Sequence, residues 1–350
     1  MRATDQIQRL PKTVASRLLL LLLLLAGSCH EKEEYPDDAM GNLELLWTII
    51  DRHYCYLEEK GIDWDSIGRV YKSRIHPEIT YGEYFDLCAS MLNELRDGHV
   101  NLSSQWDTSR YAKWWTDYPQ DFDLRTLQEY YLDFDYRQTS GIMYKIFTDP
   151  DSIGYMRYAS FSSTIGETNL DYILSQMEGC KGIIIDIRNN GGGAMTNIRT
   201  LVSRFIKEKT LAGYMRHKTG PGHGDFSDPY PIEYEPADSR RVRYDGPIAV
   251  LTNRSCFSAA NDFVAVMKTL PQAKIVGART GGGGGLPFSS ELPIGWAVRF
   301  SACPVTDVEG IDIEEGIDPS PGCECHSPAE ALASGRDPIL DFALQLLSTS

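Results

Sequence analysis

Residues 182–193 read GIIIDIRNNGGG, and this stretch decides the fold. Three consecutive isoleucines closed by an aspartate leave no polar face, so the segment is a strand buried on both sides. Such strands belong to parallel sheets covered by helices, because parallel neighbours need a crossover between them. Asn189, Asn190 and three glycines follow directly. Glycine carries no Cβ, so backbone amides of this loop can approach a ligand closely.

The flanking sequence repeats the alternation. A strand is expected over 153–161 (IGYMRYASF) and a helix over 168–177, then a helix near 196–207, a strand at 247–252, a helix at 259–270 and a strand at 274–276. Further strands are expected at 296–300 and near Val305, and a closing helix at 338–347. This pattern predicts an α/β core with a largely parallel sheet over residues 141–350. Upstream, Leu43, Leu46, Trp47, Ile50 and Tyr54 recur at helical spacing, with a break near Gly61, and Phe85, Cys88, Leu92 and Leu95 repeat the pattern. They predict a small N-terminal helical domain over 42–102. Residues 103–140 are rich in aromatic and acidic side chains without a period and read as a connector.

Residues 1–28 read as a signal peptide: basic residues precede eight leucines, Leu18 to Leu25, a run too short for the roughly 17–25 apolar residues a membrane span needs. Ala26, Gly27 and Ser28 lead into Cys29, in a pattern that resembles the lipobox of bacterial lipoproteins, with the usual leucine displaced by one position. Lipidation of Cys29 is therefore expected, which makes the membrane a partner through the anchor and 29–41 an acidic, solvated tether. The expected location is the cell envelope, on the outer membrane or cell surface. The chain carries a formal charge of −15, and removing the basic leader leaves the remainder more acidic still. Such a surface repels phosphate backbones and argues against a nucleic-acid partner. Cys323, Cys325 and His326 lie close together, but without a second pair of suitably spaced ligands they do not make a metal motif. No metal or cofactor is expected.

Ser258 falls between a predicted strand and a predicted helix, where its hydroxyl and the free amide of Ala259 emerge at a positive helix end. An isolated serine in that place is ordinarily a helix cap. The glycine run has its own plain reading as a tight strand-to-helix turn.

Taken together, NLELLWTIIDRHY, IDWDSI, ELRDGHVNL, IGYMRYASF, DIRNNGGG, LTNRSCFSAANDF, VGARTGGGGGLPF and IEEGIDP occur in the order found in one family. From about Asn42 onward the chain resembles the serine peptidases that include the tail-specific proteases and the tricorn core protease, family forty-one in the usual numbering. The resemblance implies a ClpP/crotonase-like α/β core, a peptide or protein substrate, and Ser258 as nucleophile. Gly283 stands where tail-specific members carry their lysine base, so the resemblance points instead to His99, in ELRDGHVNL, as general base. It implies Glu314 as a third catalytic group, with Glu315 as the alternative, and the amides of Ala259 and Gly192 as oxyanion donors. The interval between His99 and Ile153 is too short for the PDZ domain of tail-specific members. A catalytically inactive peptide- or apolar-ligand-binding lipoprotein on the same scaffold is the second expectation, and an acyl-CoA enzyme the third.

Overall fold

The computed structural model describes residues 35–148 and 150–349. The expected leader and Cys29, the expected lipidation site, lie outside the described residues.

Eleven strands are formed among the described residues: β1 (Asn101–Ser103), β2 (Arg137–Thr139), β3 (Ile142–Phe147), β4 (Ile153–Tyr158), β5 (Gly182–Asp186), β6 (Thr210–Met215), β7 (Tyr230–Tyr234), β8 (Ile248–Thr252), β9 (Ala273–Gly277), β10 (Gly285–Glu291) and β11 (Ala297–Thr306). The larger sheet has the order β2-β3-β4-β5-β8-β9. Its β4, β5, β8 and β9 are parallel, whereas β2 and β3 add an antiparallel margin. β5 is buried at every position, as its isoleucines require.

Side chains alternate across the sheet. Ile183 and Ile185 face the helices Glu167–Gln176, Met195–Val202 and Ala259–Thr269, and Ile184 faces Ile339, Leu340 and Ala343 of the helix Pro338–Ser348. The central strands are therefore covered on both sides, which leaves their carboxyl-end loops as the place for chemistry.

A second sheet was not foreseen. It has the order β1-β11-β6-β7 with β10 paired to β11, and all its pairings are antiparallel. The sequence hid β10 because GLPFSSE carries a proline and ends in three polar residues without alternation, and the pairing is bulged at Leu286/Pro287. Where two short strands were expected near 296–305, β11 runs continuously for ten residues.

The N-terminal helices Ala39–His53, Trp64–Lys72 and Tyr81–Asn93 are built as their spacing predicts, and the third starts with a capping box between Thr80 and Glu83. Their apolar faces, including Leu43, Leu46, Trp64, Phe85 and Leu92, pack with Trp296, Val298 and Phe300. Helical region and antiparallel sheet thus share one core, and Asp37–Ser350 forms one compact unit.

Candidate active site

Ser258 opens the helix Ala259–Thr269 in a conformation that serine avoids, with φ +57° and ψ −125°. Two loops hold it there. Phe257 N donates to Asn190 O at 3.0 Å from the glycine-loop side, and Ser258 N donates to Gly282 O at 2.8 Å from the other. Strain of this kind costs about 1–3 kcal/mol and persists only where the surroundings fix it. The hydroxyl makes no capping bond to its helix. It lies 3.0 Å from Nε2 of His99 instead, a residue 159 positions away.

His99 is placed by the turn that precedes β1. Asp97 Oδ1 accepts from the His99 backbone amide at 2.7 Å, an Asx turn, and Asn101 then pairs with Arg299 of β11. Gly98 is required, because a Cβ there would meet Trp114 Nε1 at 2.6 Å and Phe257 Cζ at 2.8 Å. The imidazole is buried, and its centroid lies 4.7 Å from that of Phe257. Burial lowers its pKa to about 4, with Asp97 opposing and Arg299 and Lys60 assisting. The ring is accordingly neutral at pH 7. With Ser258 donating to Nε2, the hydrogen sits on Nδ1, and this nitrogen has no partner among the described residues.

Glu314 does not supply that partner. Its Oε1 lies 2.8 Å from Lys60 Nζ and its Oε2 accepts from Gly284 N at 3.0 Å. Lys60 also lies 3.9 Å from Asp97, whose Oδ2 accepts from Ser301 at 2.8 Å. One buried ammonium thus serves two buried carboxyls. Burial, then repulsion by Asp97, pushes Glu314 well up; Asp97 is also raised by burial, but Lys60 and its hydrogen bonds bring it below the usual range. Glu315, the alternative third group, offers its carbonyl to Arg254 and Arg279.

The expected oxyanion donors differ in availability. The amide of Ala259 has no acceptor among the described residues, as befits the first turn of a helix. The Gly192 amide already donates to Asn190 Oδ1 at 3.0 Å. Gly192 is nonetheless essential to the site's shape: its φ is +95°, and a Cβ would meet Phe257 O at 2.7 Å and Ser258 Cβ at 2.8 Å. The neighbouring Gly193 amide has no acceptor among the described residues. At Gly283 the Phe257 ring occupies the space into which a side chain would extend.

A peptidase-family model, Peptidase family S41, matches residues 152–320, and the Tricorn protease C1 domain model matches residues 35–93. A solved structure from Parabacteroides merdae, of a protein provisionally named a peptidase, is 46% identical with a TM-score of 0.84, covering 89% of this chain and 97% of that one. The chain belongs to peptidase family S41. Among curated proteins, the carboxy-terminal processing protease CtpA of Bacillus subtilis is 28% identical over 171 residues, which is 48% of this chain and 34% of that protein. The chain therefore spans about a third of the length of the curated relatives it matches. A structure of mature CPAF with lactacystin, at 13% identity and a TM-score of 0.68, covers 89% of this chain and 99% of that one, and shares the fold.

Within this S41 chain the sequence missed Lys60 and Asp97, which surround the histidine. Asp97 stands two residues before His99 and was legible as an Asx-turn residue; Lys60 lies in a loop between helices and gave no signal. The connector also contributes. Trp114, in the helix Lys113–Thr116, stacks on Phe257 with centroids 4.2 Å apart, and Arg254 Nε donates to its carbonyl at 2.6 Å. Of the CECH residues, His326 Nδ1 is 3.0 Å from Asp121 Oδ2. No group of three or more His, Cys, Asp or Glu placed to hold a metal is found among the described residues.

Proposed function

We propose that the protein is a serine endopeptidase, held at the cell envelope through a lipid on Cys29, that cleaves peptides or unfolded protein segments through an acyl-enzyme on Ser258. The observation that carries this reading is the 3.0 Å approach of His99 Nε2 to a strained serine that does not cap its own helix.

In this mechanism the Ser258 oxygen attacks the scissile carbonyl carbon while its proton passes to His99 Nε2. The oxyanion is held by the Ala259 amide and a second amide from the glycine loop, with Gly193 unengaged and Gly192 engaged by Asn190. As the tetrahedral species collapses, the leaving amine takes the proton from His99. Water then repeats the sequence in reverse and frees Ser258. Asp97 holds the histidine by its backbone. Glu314 acts at one remove, since its contacts are to Lys60 and the Gly284 amide.

Hydrolysis of an unfolded protein such as reduced casein tests the reading. Ser258→Ala should abolish cleavage with the thermal unfolding midpoint preserved, and undiminished turnover would remove Ser258 from the mechanism. For the anchor, supported by the leader sequence alone, incorporation of an alkyne fatty acid should be lost in Cys29→Ser.

A further inference from the structure

A short piece of the connector, the helix Lys113–Thr116, lies against the loop that carries Ser258. It has four residues, none of them buried, and no side-chain cap to hold it in place. Two residues of the serine loop grip it instead. Arg254, itself buried, donates through Nε to the Trp114 carbonyl at 2.6 Å and through Nη1 to the Thr280 carbonyl at 2.8 Å, and its guanidinium carbon lies 4.2 Å from the centroid of the Tyr118 ring. Phe257 receives the Trp114 indole face to face, with centroids 4.2 Å apart and planes 24° from parallel.

The indole reaches three segments that place the reacting groups. At Gly98, next to His99, a Cβ would meet Trp114 Nε1 at 2.6 Å and Cδ1 at 3.0 Å. At Gly281 a Cβ would meet Trp114 Cζ3 at 2.5 Å, and the carbonyl of the next residue, Gly282, accepts from Ser258 N at 2.8 Å. Phe257 is joined to Ser258 itself, and its ring centroid lies 4.7 Å from that of the imidazole. One indole therefore touches the chain on both sides of the proton transfer. Burial deepens from Trp114, half-buried, to Phe257 at 8% and His99 at 2% exposure, so the indole stands on the solvent side of the histidine.

We infer that Trp114 is a positioning residue of the reaction: its indole packs Phe257, Gly98 and Gly281 together, which keeps His99 within reach of Ser258 and water away from the imidazole. It touches neither reacting atom. Holding two groups at the distance of proton transfer matters, since a misplacement of about 1 Å can cost about 10²-fold in rate. Tryptophan suits the task because it offers a large rigid face with only two side-chain torsions to fix. The inference deepens the peptidase reading and rests on it.

Shielding has a signature of its own. Burial is the main cause that lowers His99 to about 4. The charged groups around the ring are Asp97 from its own turn, Arg299 from β11 and Lys60 from the loop between the first two N-terminal helices, with Glu314 behind Lys60. Removing the indole leaves these four groups in the chain and admits water, so the pKa of His99 should rise toward its ordinary value of about 6.5.

The test uses the full chain with Trp114→Ala, Trp114→Phe and, as a control on the same helix, Trp115→Ala, each assayed well below its unfolding midpoint. Trp114→Ala should lose about tenfold to a hundredfold both in kcat on reduced casein and in the rate at which a fluorophosphonate modifies Ser258, with KM changed by less than about threefold. Trp114→Phe keeps a ring against Phe257 and should recover most of the loss. Trp115 is 38% exposed, and Trp115→Ala should match the wild type within about twofold. Rates within about twofold of the wild type in Trp114→Ala, a rise in KM with kcat kept, or an equal loss in Trp115→Ala overturns the inference. Should Trp114→Ala fail to fold, Trp114→Leu takes its place with the same expectations. A second measurement needs no turnover: titration of the His99 ring protons by nuclear magnetic resonance, assigned by their absence in His99→Gln. The midpoint should move from about pH 4 in the wild type to above about pH 5 in Trp114→Ala, and an unmoved midpoint overturns the shielding. If the wild type is neither labelled nor active, the peptidase reading fails, and the titration still decides whether Trp114 shields His99.

Discussion

Two buried ionic clusters are built on opposite terms. In the first, Arg188 donates to both oxygens of Asp337 at 2.8 Å and to Asp186 at 2.7 and 3.0 Å. Arg157 donates to the Arg188 carbonyl, Tyr155 to Asp186, and Ser327 to Asp337. Two guanidiniums face two carboxylates, and both lie over the Phe122 ring. In the second cluster one ammonium, Lys60, is shared by Asp97 and Glu314, and the adjacent His99 has a ring nitrogen without a partner. The balanced cluster fixes the end of β5 and the glycine loop after it. The unbalanced one surrounds the group proposed to take a proton. Unbalanced buried charge is where proteins place reactive groups, because it moves their proton affinities.

The largest expected effect breaks the balanced side. Arg188→Met leaves Asp337 buried without a cation and Asp186 with Arg157 alone, 3.5 Å away, and should cost about 3–5 kcal/mol in urea unfolding; a loss below about 1 kcal/mol would show that water or rearrangement compensates. Lys60→Met sharpens the contrast. It should reduce stability by less, about 1–3 kcal/mol, because its carboxyls keep the amide and hydroxyl donors of Gly284, His99 and Ser301. It should also lower kcat by about tenfold or more through a misplaced His99, whereas Arg188→Met assayed well below its unfolding midpoint should retain more activity per folded molecule.

The smallest effect is in the pH dependence of stability, where the clusters have opposite signs. Asp186 is raised by burial, but the arginines bring it below its ordinary value, so its contribution is present above the unfolded pKa and is lost as pH falls through the folded one. Glu314 is pushed up, so the native state binds more protons and stability declines as pH rises above the unfolded value, about 4.3. Urea titrations between pH 4 and 8 should show that decline in the wild type and a flatter curve in Glu314→Gln. Identical curves would mean that Glu314 carries no such penalty.

The contrast also explains what could be read in advance. β5, β8 and the helix after Ser258 were legible because continuous apolar runs and glycine loops are local signals, and the parallel core follows from them. Ser258 itself was ambiguous, since a capping serine and a nucleophile have the same neighbours; the positive φ that separates them is set by Asn190 and Gly282, which lie elsewhere in the chain. Lys60 and Glu314 are 254 positions apart, and no period or motif joins them. Residues 103–140 looked like a connector because Trp114 earns its place by stacking on Phe257 rather than by lying on an amphipathic face. β6, β7 and β10 were hidden because they are partly exposed strands interrupted by a glycine in β6 and by a proline in each of β7 and β10, and their alternation is weak.

The account stands on proton transfer between two side chains supplied by different sheets. The most direct test is the rate at which a fluorophosphonate modifies Ser258, followed by intact-mass spectrometry in the wild type and in His99→Gln. The wild type should label at Ser258 with a rate that rises through about pH 4, where the buried imidazole loses its proton, and then stays level. His99→Gln should label roughly 10²–10⁴-fold more slowly. Equal rates in the two proteins would contradict the account.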